Sequence, residues 1–397
     1  MMALIASSFS VALSVWIIFF QHKFTFTQIS FGLTFQAVAV ILFEVPTGAI
    51  ADIFGRKFSV VSGIMLQGLM WLALPFIDLP ALLYLAFFLM GALRTLESGA
   101  DKAWMIDWLK CNNEEKLVHE MFIKIQSLNS AGLVIGSLLT TLLLFLFEIK
   151  HLFFVQGCGY LFAGLLLFFF TKENIYKRNT TNKRVIHDTL HVSKEGINFL
   201  LKDKALLYLV LATSFAICSK DFGVVAWQPL LVDLSLPVKY LGIVFSGVSL
   251  IGIITPFLSK KILKKIGREK NYLTITTIIE FIFLISLYFV DNTFFTYGII
   301  VYISVMAVTD LQSPVGSLYF QSFIPSKIRA TMGSVQSMIF AIFSSFSTII
   351  GGYIMDNTGP KMALVCFSLF LIPAAFFYLR IKNKAHHLPI RIDFAGA

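Results

Sequence analysis

Several ionisable side chains lie inside stretches that are otherwise apolar: Glu44, Arg94, Glu97, Asp101, Lys220, Asp221 and Asp310. A charge near the centre of a bilayer costs roughly 2.5–3.5 kcal/mol on insertion scales, so each of these groups needs a partner, a wet cavity or a proton. On a helix, 100° per residue puts Arg94, Glu97 and Asp101 within about 60° of one another on one face. Two kinds of chemistry fit. A buried carboxylate can bind a proton in one conformation and release it in another, with Lys220 pairing with one acid while a second is protonated. Asp310 and Glu97 are the preferred acids, because they sit at comparable depths in opposite halves of the chain. Alternatively the charges only hold helices together: Arg94 and Glu97 are spaced i,i+3 and can neutralise each other, and Lys220 can join Asp310 or Glu97. Glu44 reads equally as a proton carrier or as a buried acid hydrogen-bonded near Pro46. Glu280 also falls mid-way along an apolar run.

The elements that carry these groups are membrane spans. The 397 residues are 57% hydrophobic and 14% charged, whereas a soluble chain carries about a quarter charged residues. Runs of about 20 apolar residues can each cross a bilayer. Bounded by polar turns, they predict twelve helices near 3–20, 31–51, 58–77, 80–107, 122–146, 152–171, 205–232, 238–259, 271–290, 295–322, 332–355 and 361–380. The first run lacks the basic start and small-residue cleavage site of a signal peptide and is read as a helix. Pro229, Pro256, Pro314 and Pro373 mark expected kinks. The longest polar stretch is 172–204, in which Val185–Leu201 has apolar residues at helical spacing and predicts an amphipathic helix on the membrane surface. The chain therefore divides into a six-helix bundle at 1–171, a linker at 172–204, and a second six-helix bundle with a short tail at 205–397.

Residues 44–57 read EVPTGAIADIFGRK. Glu44 and Pro46 are expected to interrupt the end of one helix. A tight turn follows, and the next helix begins at Phe58. The pattern Gly48-x-x-x-Asp52-x-x-Gly55-Arg56-Lys57 resembles the loop between the second and third helices of the major facilitator superfamily of secondary transporters. Gly48 and Gly55 allow close packing and a tight turn, Asp52 can face a helix N-terminus, and Arg56 and Lys57 hold the loop on the cytoplasmic side. The resemblance implies an all-α membrane fold of two six-helix bundles, each built from inverted three-helix repeats, with substrate at mid-membrane. It places the first, fourth, seventh and tenth helices around the central cavity, and the deep charges fall on the last three of these. It also implies that Asp52 caps the start of the eleventh helix, near Thr331–Gly333, when the protein faces outward, with Arg56 paired to Asp107 in the same state. Arg94 resembles an arginine that the family associates with proton coupling, although the residues that follow, TLESGADKA, depart from the family's pattern. The ninth helix is peripheral in the family, which leaves Glu280 without a role. Family members generally begin with a short cytoplasmic segment, so an upstream start is compatible with the pattern. Gly55-Arg56 recurs as Gly267-Arg268, but Lys264 and Lys260 replace the counterparts of Asp52 and Gly48, so that loop is expected to anchor without capping.

One side of the membrane receives Arg56, Lys57, Lys110, Lys116, the 172–204 segment, the cluster Lys260–Lys270, Lys327, Arg329 and the tail from Arg380. The other receives Lys23, Lys150, Lys239 and Lys361. This asymmetry predicts cytoplasmic termini in the cytoplasmic (inner) membrane of a prokaryote, and it accounts for the net charge of +10 without nucleic acid. Cys111, Cys158, Cys218 and Cys366 show neither disulfide nor metal spacing, and all seven histidines lie outside the apolar cores. No nucleotide-binding or hydrolase signature is present, so no cofactor, no metal and no enzymatic activity are expected.

The reading is a monomeric secondary transporter working by alternating access. Its expected activity is proton-coupled export of a small amphipathic or cationic organic compound, which Glu97, Asp101, Asp221 and Asp310 would attract. The alternatives are uptake of a nutrient or organic anion held by Arg94 and Lys220, or a non-transporting receptor or scaffold. The first helix carries no acid, and the fifth has Gly132-x-x-x-Gly136 without the Gly-Pro signature of proton antiporters; both features weaken the exporter reading relative to the transporter one.

Overall fold

The computed structural model describes residues 10–98, 100–112, 114, 117–171, 196–289, 295–325 and 328–381. Among these residues there is no strand. This follows from the solvent: without water, backbone amides must be satisfied within the segment, and a helix does so.

The elements in chain order are α1 (Trp16–Gln21), α2 (Phe26–Phe54), α3 (Arg56–Ala73), α4 (Pro80–Ser98), α5 (Ala100–Cys111), α6 (Val118–Leu144) and α7 (Ile149–Phe170). They continue with α8 (Lys204–Asp233), α9 (Leu241–Ile266), α10 (Glu269–Ser286), α11 (Phe295–Ser322), α12 (Arg329–Ser368) and α13 (Leu371–Arg380). Ten stretches among the described residues are long and apolar enough to span a bilayer. The longest, Met332–Arg380, has 49 residues and contains most of α12, which breaks at Gly359 with φ 81° and ψ 166°, followed by α13. A straight 40-residue helix would be about 60 Å long, twice the hydrocarbon thickness, so the break is required. The predicted first helix lies partly outside the described residues, as does most of the amphipathic segment 185–201; residues 196–202 are helical.

Two expectations for residues 44–57 are corrected. Pro46 does not interrupt the helix, which runs through it to Phe54, past the expected end at residue 51. Losing one N–H···O bond is tolerated where the rest of a long apolar helix is held by its neighbours. The turn is a single residue, Gly55, and α3 begins at Arg56 rather than Phe58. The described residues of the predicted 80–107 helix are α4 and α5, which together form one stretch long and apolar enough to span, Pro80–Leu109.

Within the first half, α2 packs on α4, and α3 on α4 and α7. Within the second, α8 packs on α12 and α13, α9 on α11, and α10 on α11 and α13. The halves meet through α2 with α12 and α6 with α9. One apolar cluster joins them. It contains Val11, Phe20, Trp71 and Phe153 from the first half and Trp227, Leu241 and Tyr302 from the second. Trp227 stacks on Tyr302 with ring centroids 4.7 Å apart.

α2 and α12 touch at one end and part at the other, and α6 and α9 are also in close contact near the start of α9. A Cβ at Gly352 on α12 would lie 2.5 Å from Ser30 Oγ and 2.7 Å from Phe26 O, whereas Gly48 and Gly333, toward the other end of the same pair, face open space. On α9, a Cβ at Gly242 would run into Ser137 O and Thr141 Oγ1 of α6, while Gly247 is open. The halves are thus closed at the end with few basic loop residues and splayed at the end carrying Arg56, Lys57 and Lys260–Lys270. Gly48 consequently makes none of the close packing expected of it in this state.

Candidate functional site

The deep charges form two separate groups. In the first half, Gln67 of α3 donates to Glu97 Oε2 of α4 at 3.0 Å. Arg94 and Asp101 interact electrostatically with Glu97, and Tyr160 of α7 lies close enough to feel both Glu97 and Arg94. Arg94 is exposed, Glu97 and Asp101 partly so. The shared face expected from helical spacing is therefore real, but no Arg94–Glu97 ion pair within 4.0 Å exists among the described residues.

In the second half, Lys220 of α8 is the cation among three carboxylates: Asp221 on the same helix, Glu280 on α10 and Asp310 on α11. Asp221 hydrogen-bonds with Ser344 of α12. Asp310 Oδ2 lies against Gly252 of α9, where a Cβ would approach to 3.1 Å. Glu280 is 2% exposed and accepts from Gln312 Nε2 at 3.1 Å. A cavity of about 240 Å³ holds both Lys220 and Glu280 in its wall. Thr213, Thr309, Gln312, Gln336, Phe340 and Tyr378 also line it. Lys220 makes no ion pair within 4.0 Å with Glu97 or Asp310 among the described residues. The structure thus places Asp310 near Lys220, Asp221 and Glu280 inside one half, with Glu97 in the other group.

Glu280 is the residue sequence reasoning passed over. The available signal was its depth within α10 together with Gln312 on the neighbouring helix. Glu44 is corrected in the opposite sense: its side chain is exposed, and the nearby hydroxyl of Thr47 bonds to Phe43 O at 2.7 Å, so it is no buried acid. Metal-ligating clusters of three or more His, Cys, Asp or Glu are absent among the described residues, and all four cysteines are free thiols.

In the 44–57 segment, Arg56 forms an ion pair with Asp107 of α5 while this end is splayed, so the pair is not confined to the outward-facing state in which it was expected. Lys57 Nζ donates to Phe168 O and Thr171 O, both at 2.7 Å, and so caps the C-terminus of α7. The side chains of Asp52 and Thr331 lie outside the described residues, as does any contact between them. Asp107→Asn is expected to lower the thermal stability of the purified protein by about 1 kcal/mol, the scale of a partly exposed ion pair. A matching Arg56→Ala loss that is not additive with it, measured by thermal unfolding in detergent, would assign the effect to this pair.

The family follows from the whole chain as well as from the loop. The model of the Major Facilitator Superfamily matches residues 1–338. The chain belongs to the Major Facilitator Superfamily. It is 28% identical over 382 residues to an uncharacterized MFS-type transporter of Bacillus subtilis (strain 168), YxaM, covering 96% of this chain and 94% of that one. It is 26% identical over 225 residues to a Na(+), Li(+), K(+)/H(+) antiporter of Planococcus maritimus, covering 52% of each. The crystal structure of the nucleoside transporter NupG superposes with a TM-score of 0.80 at 14% identity, covering 96% of this chain and 98% of that one. A D-xylose-proton symporter gives 0.68 at 13%, covering 96% of both. At such identities these structures establish the fold. This superfamily member is an all-α, multi-pass secondary transporter of major facilitator type, with sites for a small molecule to be sought between and within its halves.

Proposed function

We propose that the protein is a proton-coupled exporter of small cationic or amphipathic organic compounds, and not an enzyme. The observation that carries this reading is the second-half cluster, in which three carboxylates, Asp221, Glu280 and Asp310, surround the single cation Lys220. A cluster with more carboxylates than cations attracts protons and cations and repels anions. Glu280 is buried, accepts from Gln312 Nε2 and shares the wall of the cavity with Lys220, a placement suited to a proton carrier. The partial similarity to a cation/proton antiporter supports antiport. In this reading the halves at 1–171 and 205–397 rock about the central site, joined by the 172–204 linker. The monomer sits in the inner membrane with both termini cytoplasmic, which makes the splayed end the cytoplasmic one.

Uptake of an organic anion through Arg94 and Lys220 is the second reading, favoured by the exposure of Arg94. Proteoliposomes with an imposed pH gradient and a panel of organic cations and anions separate the two. Export predicts cation movement against the proton gradient, lost in Asp310→Asn and retained in Arg94→Ala. Anion accumulation that Arg94→Ala abolishes would replace the first reading with the second.

A further inference from the structure

The loop pattern that marks the end of α2 occurs a second time, at the other end of the molecule. Gly48-x-x-x-Asp52-x-x-Gly55-x-Lys57 is matched position for position by Gly352-x-x-x-Asp356-x-x-Gly359-x-Lys361. The backbones agree. Gly55 has φ 99° and ψ 148°, and Gly359 has φ 81° and ψ 166°; both lie near the part of conformational space that is essentially glycine's alone. Gly267, in the loop expected from sequence to be the repeat, has φ 81° but ψ −12° and forms an ordinary left-handed helix cap. The structural counterpart of the 48–57 loop is therefore the loop at 352–361, which lies at the closed end.

At that end the acid of the motif is engaged across the halves. Asp356 Oδ1 accepts from Phe26 N at 2.7 Å; Oδ2 accepts from Thr27 N at 2.9 Å and from Thr27 Oγ1 at 2.6 Å. Phe26 and Thr27 open the 29-residue α2, so the carboxylate sits on the positive end of a long helix. The glycine of the motif, Gly352, lets α12 come within contact of Phe26 and Ser30. At the splayed end the corresponding glycine, Gly48, touches nothing.

We propose that Asp356 is a latch that holds the weakly basic end shut, the counterpart of the Asp52 cap that the loop resemblance already implies for the other end. Each acid stands just before the glycine that ends a helical segment, α2 at Gly55 and the first part of α12 at Gly359, and each would cap the N-terminal end of the other helix. The two helices can touch at only one end at a time, so engagement of one latch requires release of the other. The conformational equilibrium is then a competition between two like contacts, which keeps both states accessible. This inference rests on the alternating-access part of the functional reading and is independent of substrate and coupling ion.

The test is made on the full chain in lipid nanodiscs, with Cys111 and Cys158 replaced and spin-label pairs at His22 with Asn357 and at Phe54 with Pro325. Asp356→Ala is expected to lengthen the first distance and shorten the second, a shift of about tenfold in the ratio of states. Gly352→Leu, which excludes α2 by size, is expected to do the same. Asp52→Asn is expected to deepen the state that is splayed at the basic end, and the double variant Asp52→Asn/Asp356→Asn to return toward the wild-type ratio. Unchanged distance distributions in both Asp356→Ala and Gly352→Leu would overturn the latch. A shift in Asp356→Ala that Asp52→Asn does not oppose would overturn the competition.

Discussion

Glu280→Gln is expected to reduce pH-gradient-driven transport by at least about tenfold, while exchange of substrate without a gradient changes little. Glutamine keeps the size of the side chain and its hydrogen bond with Gln312, so packing around the cavity is preserved. What it removes is the only position on α10 that can gain or lose a proton among the groups facing the cavity; the others are Lys220 on α8 and Tyr378 on α13, with Asp221 and Asp310 beyond. Lys220→Met should be harsher. It leaves Asp221, Glu280 and Asp310 with no cation between them, and an uncompensated buried charge costs about 3–5 kcal/mol. The double variant Lys220→Met/Glu280→Gln is expected to recover part of that stability, with a coupling of about 0.5–3 kcal/mol between the sites. Thermal unfolding in detergent and transport in proteoliposomes read the two effects separately. Full coupling in Glu280→Gln, or additive losses in the double variant, would take Glu280 out of the mechanism.

The fold was legible because the bilayer leaves the chain few choices. Apolar length sets the spans, and polar turns set their ends. The helical face shared by Arg94, Glu97 and Asp101 could also be read, because it depends only on local geometry. Pairings across helices could not. Nothing in the spacing of Lys220, Glu280 and Asp310 says that α10 turns its acid toward α8 rather than toward lipid, and the ninth position in the family plan argued against it. Glu44 misled for the converse reason: depth along a helix does not say which way a side chain faces when the neighbouring half has swung away. The Asp356 latch lies in a short polar loop, DNTGPK, that reads simply as a turn. Its match to residues 48–57 is visible only when the comparison is made between opposite ends of the membrane, where charge-based reading of loops sees no resemblance.

Two glycine substitutions should have opposite kinds of consequence, and the contrast tests whether the halves move as bodies. Gly91 of α4 lies against Gln36 O of α2, within the first half, and a Cβ there would also stand 3.0 Å from Ala39 Cβ. Gly242 of α9 lies against Ser137 O of α6, across the halves, and a Cβ there would stand 2.6 Å from Thr141 Oγ1. In each case a larger side chain meets a backbone carbonyl, which cannot move aside as a flexible side chain would, and overpacking of this kind costs about 1–3 kcal/mol or more. Within one half the cost falls on the fold itself, so Gly91→Leu is expected to lower thermal stability and yield. Between the halves the cost can be avoided by separating α6 from α9 at that end. Gly242→Leu is therefore expected to fold normally and to populate the oppositely open conformation by about tenfold more, since about 1.4 kcal/mol is a factor of ten. Cysteine labelling from each side of sealed vesicles measures the shift. A Gly242→Leu protein that loses stability as Gly91→Leu does, with unchanged labelling, would mean that the α6–α9 contact is part of a rigid core and that the two halves do not separate there.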